Sequence, residues 1–364
     1  MRTLAGTEPR NGHDGAARSD SIRVMLVDDS LTVRTAFARI IDREPDMASV
    51  ATAASAEIAI SQLRQTVVDV ILLDLEMPGM GGLEALPQLI ATARGAQILV
   101  VSSLTEEGAE HTLTALSMGA ADTMAKPQSG QFDDSYRAEL VARIRALAGR
   151  DATASPPTRV SAPPTRSFGE QPRVVAIGAS TGGIHALNQF MRALPRSFDL
   201  PILVTQHLPA SFMPVFARQL EVSSARRTVV ASEDLPVEAG TIIVAPGHAH
   251  LVTRNLAGQI RCAFSSRPAA SGCLPSVDPM LESIGQTYNG AALAVILSGM
   301  GRDGTQGARS LVEQGGTVFA QDSHSCAVWG MPRGVIESGQ AAAIGSPEHL
   351  AGKTVELAGA TSWI

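Results

Sequence analysis

Ser180 ends the apolar run Val174-Val175-Ala176-Ile177-Gly178-Ala179 and is followed by Thr181-Gly182-Gly183, the pattern of a strand that turns through glycines into a helix. A hydroxyl at such a turn stands above the sheet beside the free amides of the new helix. There a serine can become a nucleophile and an oxyanion can be held. Gly178, Ser180 and Gly182 reproduce G-x-S-x-G. The same glycines also suit a loop that cradles a phosphate, so the motif alone leaves two chemistries open. Two further apolar runs supply the partners a serine nucleophile needs. Pro201-Ile202-Leu203-Val204-Thr205-Gln206 delivers His207, and Ala292-Leu293-Ala294-Val295-Ile296-Leu297 leads into Ser298-Gly299-Met300-Gly301-Arg302-Asp303-Gly304. Imidazole is the base that can activate a hydroxyl near neutral pH, and a carboxylate fixes its tautomer and stabilises the imidazolium. The order Ser, His, Asp differs from the Ser, acid, His of α/β-hydrolases, which disfavours a lipase-like fold without disfavouring the triad.

The first half of the chain carries a different chemistry at its strand ends. Arg23-Val24-Met25-Leu26-Val27 runs into Asp28-Asp29, and Val68-Asp69-Val70-Ile71-Leu72-Leu73 into Asp74. Gln97-Ile98-Leu99-Val100-Val101 ends in Ser102, and Thr123-Met124-Ala125 in Lys126-Pro127. Three carboxylates sharing one crevice call for a hard cation, Mg²⁺. Asp74 can then attack a phosphoryl donor, with Ser102 and Lys126 suited to hold the phosphate oxygens.

Positioning these groups takes two parallel α/β sheets, because in open sheets polar side chains gather beyond the carboxyl ends of the strands. Apolar runs alternate with amphipathic stretches over residues 21–147 and again over 173–364. Between them, residues 148–172 carry Pro156-Pro157 and Pro163-Pro164 among small polar residues, an interdomain linker. Residues 1–20 are rich in Gly, Ala and charge without periodicity, and read as a flexible tail. At 364 residues with 45% hydrophobic and 18% charged, the chain has the balance of a soluble protein of two or three domains. A net charge of −6 argues against a grip on nucleic acid. Neither a membrane-length apolar run nor a signal-peptide core is present, so a cytoplasmic location without direct membrane insertion is expected. Cys262, Cys273 and Cys326 are odd in number without paired spacing, and fit a reducing compartment rather than a disulfide framework or a zinc site. His248 and His250 have the spacing of a metal pair on one strand face, but no third ligand is evident. Ser276 and Ser298 compete with Ser180 for the nucleophile role, though neither opens a glycine-rich helix start.

On these motifs residues 21–147 resemble a response-regulator receiver domain. The resemblance implies a flavodoxin-like (βα)5 fold and Asp74 as phosphoacceptor. It implies Mg²⁺ on Asp28, Asp29, Asp74 and the Glu76 carbonyl, with Ser102 and Lys126 as switch residues and a cis Lys126–Pro127 bond. Thr123 stands where that family carries a tyrosine or phenylalanine, and Gly81 where an acidic residue is common. Residues 178–183, 205–209, 245–247, 275–278, 298–304 and 330–332 resemble the chemotaxis protein-glutamate methylesterases, CheB, with Leu274 replacing a basic or histidine residue. That resemblance implies a doubly wound, mostly parallel α/β catalytic domain with Ser180 as nucleophile, His207 as base and Asp303 as orienting acid. Thr181 and Met300 fall at its oxyanion positions. The expected activity is phosphorylation-activated hydrolysis of glutamate methyl esters on chemoreceptor helices, without a cofactor for the esterase step. Glutamine deamidation is open to the same triad, and a sensor histidine kinase is the expected phosphodonor. The alternative is a receiver fused to a non-catalytic nucleotide-binding module. Against it, no acidic ribose-binding residue follows residues 178–183 at the expected distance.

Overall fold

The computed structural model describes residues 21–102, 106–127, 132–149 and 171–359. The expected tail and most of the expected linker, residues 150–170, lie outside the described residues. Strands β1 (Ile22–Val27), β2 (Met47–Ala53), β3 (Val70–Asp74), β4 (Gln97–Ser102) and β5 (Asp122–Ala125) form a sheet in the order β2-β1-β3-β4-β5. Every pairing is parallel. The connections hold α1 (Leu31–Ile41), α2 (Ala56–Leu63), α3 (Gly82–Thr92) and α4 (Glu106–Met118), and α5 (Asp134–Leu147) follows the last strand. This is the flavodoxin-like receiver fold. Helices begin where a short polar side chain can satisfy a free amide: Ser30, Ser55 and Asp133 accept from Val33, Ile58 and Tyr136 N–H. The strand order reverses between β1 and β3, so Asp28 and Asp74 flank the switch point where an α/β sheet opens a crevice.

The second sheet contains β6 (Val175–Ala179), β7 (Ile202–Gln206), β8 (Thr228–Val230), β9 (Ile242–Val244), β12 (Leu293–Ile296), β13 (Thr317–Gln321) and β14 (Ala343–Gly345). Their order is β14-β13-β12-β6-β7-β9-β8, all parallel. An antiparallel hairpin of β10 (His250–Leu256) and β11 (Gln259–Ser265) stands apart from it. Helices α6 (Gly183–Ala193), α7 (Met213–Ser224), α8 (Val277–Thr287), α9 (Thr305–Glu313), α10 (Met331–Glu337) and α11 (Pro347–Leu357) cover it. The residues of β6, β7, β12 and β13 are buried throughout, which explains why they read as unbroken apolar runs rather than alternating ones. Leu187 and Phe190 of α6 pack under the sheet on one side, and Met280, Leu281 and Ile284 of α8 on the other.

The two sheets meet along one contact. Helix α4 lies against α6 and α7, where His185 Nδ1 is 3.1 Å from Ser117 O and Arg218 pairs with Glu110 at 2.9 Å. Beside it, the segment entering β5 touches the turn after β6. Gly182 N–H donates to Ala121 O (2.5 Å) and Thr181 Oγ1 to Asp122 Oδ2 (2.8 Å). Arg143 Nη1 holds the same Asp122 oxygen at 2.6 Å.

Two details of the receiver depart from the resemblance. The cis peptide bond among the described residues is Leu274–Pro275, and Lys126–Pro127 is trans, the default isomer of an X–Pro bond. Thr123 leaves β5 without a ring of its own, yet an aromatic side chain arrives from α5. Tyr136 donates its hydroxyl to Ala125 O at 3.0 Å and packs edge-on to Phe132, which packs edge-on to Phe37.

Candidate active site

Ser180, His207 and Asp303 follow β6, β7 and β12, and these three strands are neighbours in the sheet. Residues far apart in the chain therefore converge at one end of it. Asp303 is 1% exposed, and its Oδ2 lies 2.8 Å from His207 Nε2. The carboxylate also accepts from Ser276 Oγ at Oδ1 (2.6 Å) and from Val277 N–H at Oδ2 (2.7 Å), so both oxygens are held and its orientation is fixed. Burial alone would raise its pKa, but hydrogen bonds from His207, Ser276 and Val277 hold it below the ordinary carboxylate range. The neighbouring Asp278 is pushed up, first by burial and further by the charge on Asp303, against the Gly307 amide that lowers it. Two carboxylates in one buried corner divide the charge unequally, and Asp303 keeps it.

For His207, burial favours the neutral ring, but hydrogen bonds and charge from Asp303 and Cys273 outweigh it and push the pKa up to about 9. Ser180 is half-buried and shares with His207 the lining of a crevice of about 250 Å³ between the two sheets. The receiver side of that crevice includes Ala121, Asp122, Thr123, Tyr136 and Arg143. No Ser180–His207 hydrogen bond forms among the described residues, a common condition of a substrate-free site.

The backbone around Ser180 is held close. Ser180 N–H donates to Ser298 O at 3.0 Å, and Gln206 Nε2 donates to Ser180 O at 2.9 Å. Gly182 has φ +74°, and a Cβ there would lie 2.6 Å from Ser298 Oγ, so both the backbone angle and the space require glycine. Gly299 is equally constrained, since a Cβ would sit 2.9 Å from Ser180 Cβ and 2.4 Å from Met331 Sδ. That close approach brings the Met300 turn beside the serine. The amides of Thr181 and Met300 donate to no acceptor among the described residues, and Thr181 immediately precedes the turn into α6. Free N–H groups near a helix N-terminus suit a developing negative charge.

The rival serines separate on burial. Ser276 is 0% exposed and bonded to Asp303. Ser298 is 1% exposed, donates to Thr181 O and Val328 O, and braces the turn from below. His250 is no metal ligand in this arrangement. Its Nε2 lies 2.9 Å from Arg267 O and its Nδ1 accepts from Ser276 N–H at 2.9 Å, while His248 stacks edge-on against Phe264. It clamps both ends of the loop between β11 and α8. Cys273, on that loop, comes beside His207 and Asp303, a neighbourhood that the spacing of the cysteines in the sequence does not show. Gln206, Asp122 and Cys273 shape the site without standing out as site residues in the sequence, and His250 and Ser276 shape it in roles other than the metal ligand and nucleophile the sequence suggests. Gln206 directly precedes His207, and Ser276 has the pattern of a helix N-cap; Asp122 and Cys273 become visible only through the fold.

In the receiver, Asp28, Asp29 and Asp74 bring carboxylate oxygens within 4.8 Å of one another. Lys126 Nζ reaches Asp74 Oδ2 at 2.6 Å and Asp28 Oδ2 at 2.9 Å. Burial raises the Asp74 pKa, partly offset by Lys126 and the Glu76 amide, and the Asp28 charge adds to the rise. Ser102 is buried and shares a 2.6 Å hydrogen bond with Thr112 of α4.

The fold is that of a receiver domain joined to a parallel α/β catalytic domain. Residues 24–133 match the response regulator receiver family, and residues 175–354 match the family described as CheB methylesterase. The protein-glutamate methylesterase/protein-glutamine glutaminase 2 of Caulobacter vibrioides is 40% identical over 89% of this chain and 95% of its own length. That of Azospirillum brasilense is 36% identical over 92% of each. The CheB methylesterase catalytic domain of Thermotoga maritima superposes with a TM-score of 0.50 at 35% identity, covering 51% of this chain and 98% of that domain. The chain belongs to the CheB protein-glutamate methylesterase family, with its receiver domain.

Proposed function

We propose that Ser180, His207 and Asp303 hydrolyse glutamate γ-methyl esters on chemoreceptor helices. The observation that carries this reading is their convergence from three adjacent strands beside the free Thr181 and Met300 amides. Asp303 holds one ring nitrogen of His207 as a donor, leaving the other to take the serine proton. Ser180 Oγ bonds to the ester carbonyl carbon, and the oxyanion is stabilised by the two amides. Collapse of the tetrahedral species breaks the bond to methoxide, which leaves as methanol with the proton from His207. Water, deprotonated by the same base, then cleaves the acyl-enzyme to free carboxylate and Ser180. A glutamine side chain would pass through the same steps with ammonia leaving, so deamidation is a second activity of one site. Methanol and ammonia release from receptor peptides tests both. Catalysis on a receptor's cytoplasmic helices accords with the lack, among the described residues, of a helix long and apolar enough to cross a membrane.

The imidazole accepts a proton only when neutral. With its pKa pushed up to about 9, turnover at limiting substrate should rise about tenfold per pH unit between 7 and 8, and level off near 9. The same shift makes the ion pair with Asp303 stabilising below the unfolded histidine pKa, a contribution lost as pH rises through about 9. A pH–rate profile flat from 6 to 9 would show that His207 is not the base.

Asp74 is the proposed phosphoacceptor, with a sensor histidine kinase as donor. The acidic group fits a divalent cation: Asp28 Oδ2 is buried without a hydrogen bond of acceptable geometry, and Lys126 is the cation that pairs with Asp28 and Asp74 among the described residues. Asp28, Asp29 and Asp74 would hold Mg²⁺, which when bound neutralises the phosphoryl oxygens. Acetyl phosphate should label Asp74 only while Mg²⁺ is present. Undiminished labelling in EDTA would overturn the cation assignment.

Phosphate on Asp74 would draw on Ser102 and Lys126, at the ends of β4 and β5. Helix α4 follows the first strand, and the second strand's other end touches Thr181 and Gly182, so both are parts of the contact that covers the crevice. Phosphorylation thus favours a receiver surface that no longer fits the catalytic domain.

A further inference from the structure

Cys273 has no part in the hydrolytic steps, yet the fold delivers it to their base. The loop that carries it is pinned by His250 at Arg267 and at Ser276, and Ser276 in turn grips Asp303. One ligand atom each from His207, Cys273 and Asp303 lies within 4.8 Å of the other two. Nitrogen, sulfur and carboxylate oxygen together form a donor set for a borderline-soft cation, not for Mg²⁺. The carboxylate is already oriented by Ser276 Oγ and Val277 N–H, the outer support that metal-ligating groups require. A second opening leads to the same residues. Cys273 and Asp303 also line a groove of about 670 Å³ with Asp278, Glu282 and Arg302, and no receiver residue borders it.

We propose that His207, Cys273 and Asp303 bind Zn²⁺ as three protein ligands, and that the bound ion switches the esterase off by taking one ring nitrogen of His207, which leaves the neutral imidazole, its other nitrogen now carrying the ring proton, without a lone pair for the serine proton. Ligand atoms in a tetrahedral zinc site stand about 3.5 Å apart, so the 2.8 Å hydrogen bond between His207 and Asp303 gives way to the ion as the side chains rotate. The thiol proton is released to solvent as the thiolate coordinates. The fourth position stays open to water. Binding is independent of the hydrolytic reading, while inhibition rests on it.

The test uses the intact chain in excess Mg²⁺ and a phosphine reductant. Co²⁺ serves as the spectroscopic probe, and turnover is read as the ratio with and without Zn²⁺ for each variant. A cysteine-to-cobalt charge-transfer band should appear with one equivalent of Co²⁺, and the receiver's oxygen-only site cannot produce it. Zn²⁺ should lower turnover at least about tenfold, reversibly on chelation. Cys273→Ser should lose the band and weaken Zn²⁺ inhibition by about tenfold or more, whereas Cys326→Ser should keep both. Absence of the band, or equal Zn²⁺ inhibition of Cys273→Ser and the parent, overturns the site. A band lost in Cys273→Ser with turnover indifferent to Zn²⁺ leaves the site standing, overturns the inhibition and counts against His207 as the base.

Discussion

Ser180→Ala and His207→Ala should each lower methanol release by several orders of magnitude, with the double variant little worse than either one. A serine and its base act as a unit, so removing either forfeits most of what the pair supplies. Both variants should fold. Ser180 contributes its backbone N–H and C=O to the local hydrogen bonds, and alanine keeps these. Asp303→Asn should also be severe, because an amide can offer His207 a donor where the imidazole must itself donate. It should in addition disturb the loop before α8, since the same carboxylate accepts from Ser276 and Val277. Purified variants with native circular dichroism, assayed on methylated receptor, measure this. A Ser180→Ala enzyme retaining more than about a tenth of parental turnover would remove serine from the chemistry.

A fragment beginning at residue 171 should turn over substrate faster than the intact unphosphorylated chain. In the docked arrangement Asp122 takes the Thr181 hydroxyl, Ala121 takes the Gly182 amide, and receiver residues wall the crevice on which Ser180 opens. A receptor helix cannot reach the serine without displacing them. A coupling of about 1–3 kcal/mol, typical of regulated domain contacts, corresponds to about 5- to 150-fold in rate. Asp122→Ala removes the charged acceptor shared by Thr181 and Arg143, and should raise basal turnover of the intact chain toward that of the fragment. Asp74→Asn should keep the basal rate whatever phosphodonor is added. Turnover of the fragment, the parent with and without acetyl phosphate, and the two variants decides the matter. Equal rates throughout would end the docking account and leave the esterase untouched.

Much of this site is legible in the sequence because Ser180 and His207 directly follow apolar runs and Asp303 lies in the loop after a third, and such runs are strands buried on both faces. Strand order is another matter. Nothing local in residues 293–296 says that they pair with Val175–Ala179, yet that pairing brings Asp303 to His207. Serine counting alone leaves Ser276 and Ser298 in contention, and only burial and partners remove them. Cys273 eludes spacing rules because its companions lie on other strands' ends, and its loop is placed by a buried histidine that looks like a metal ligand on the page. Thr123 shows the converse. A missing ring at one position does not mean that the neighbourhood lacks one, since Tyr136 reaches β5 from the next helix.

The central claim is that Ser180 is an activated nucleophile beneath a movable receiver. The most direct measurement is the rate at which a fluorophosphonate acylates the intact chain, with the modified residue located by peptide mass spectrometry, before and after phosphorylation of Asp74. The account predicts a single adduct on Ser180, forming several-fold faster once Asp74 carries phosphate. An adduct on Ser276, Ser298 or Cys273, or no adduct at all in either state, would contradict it.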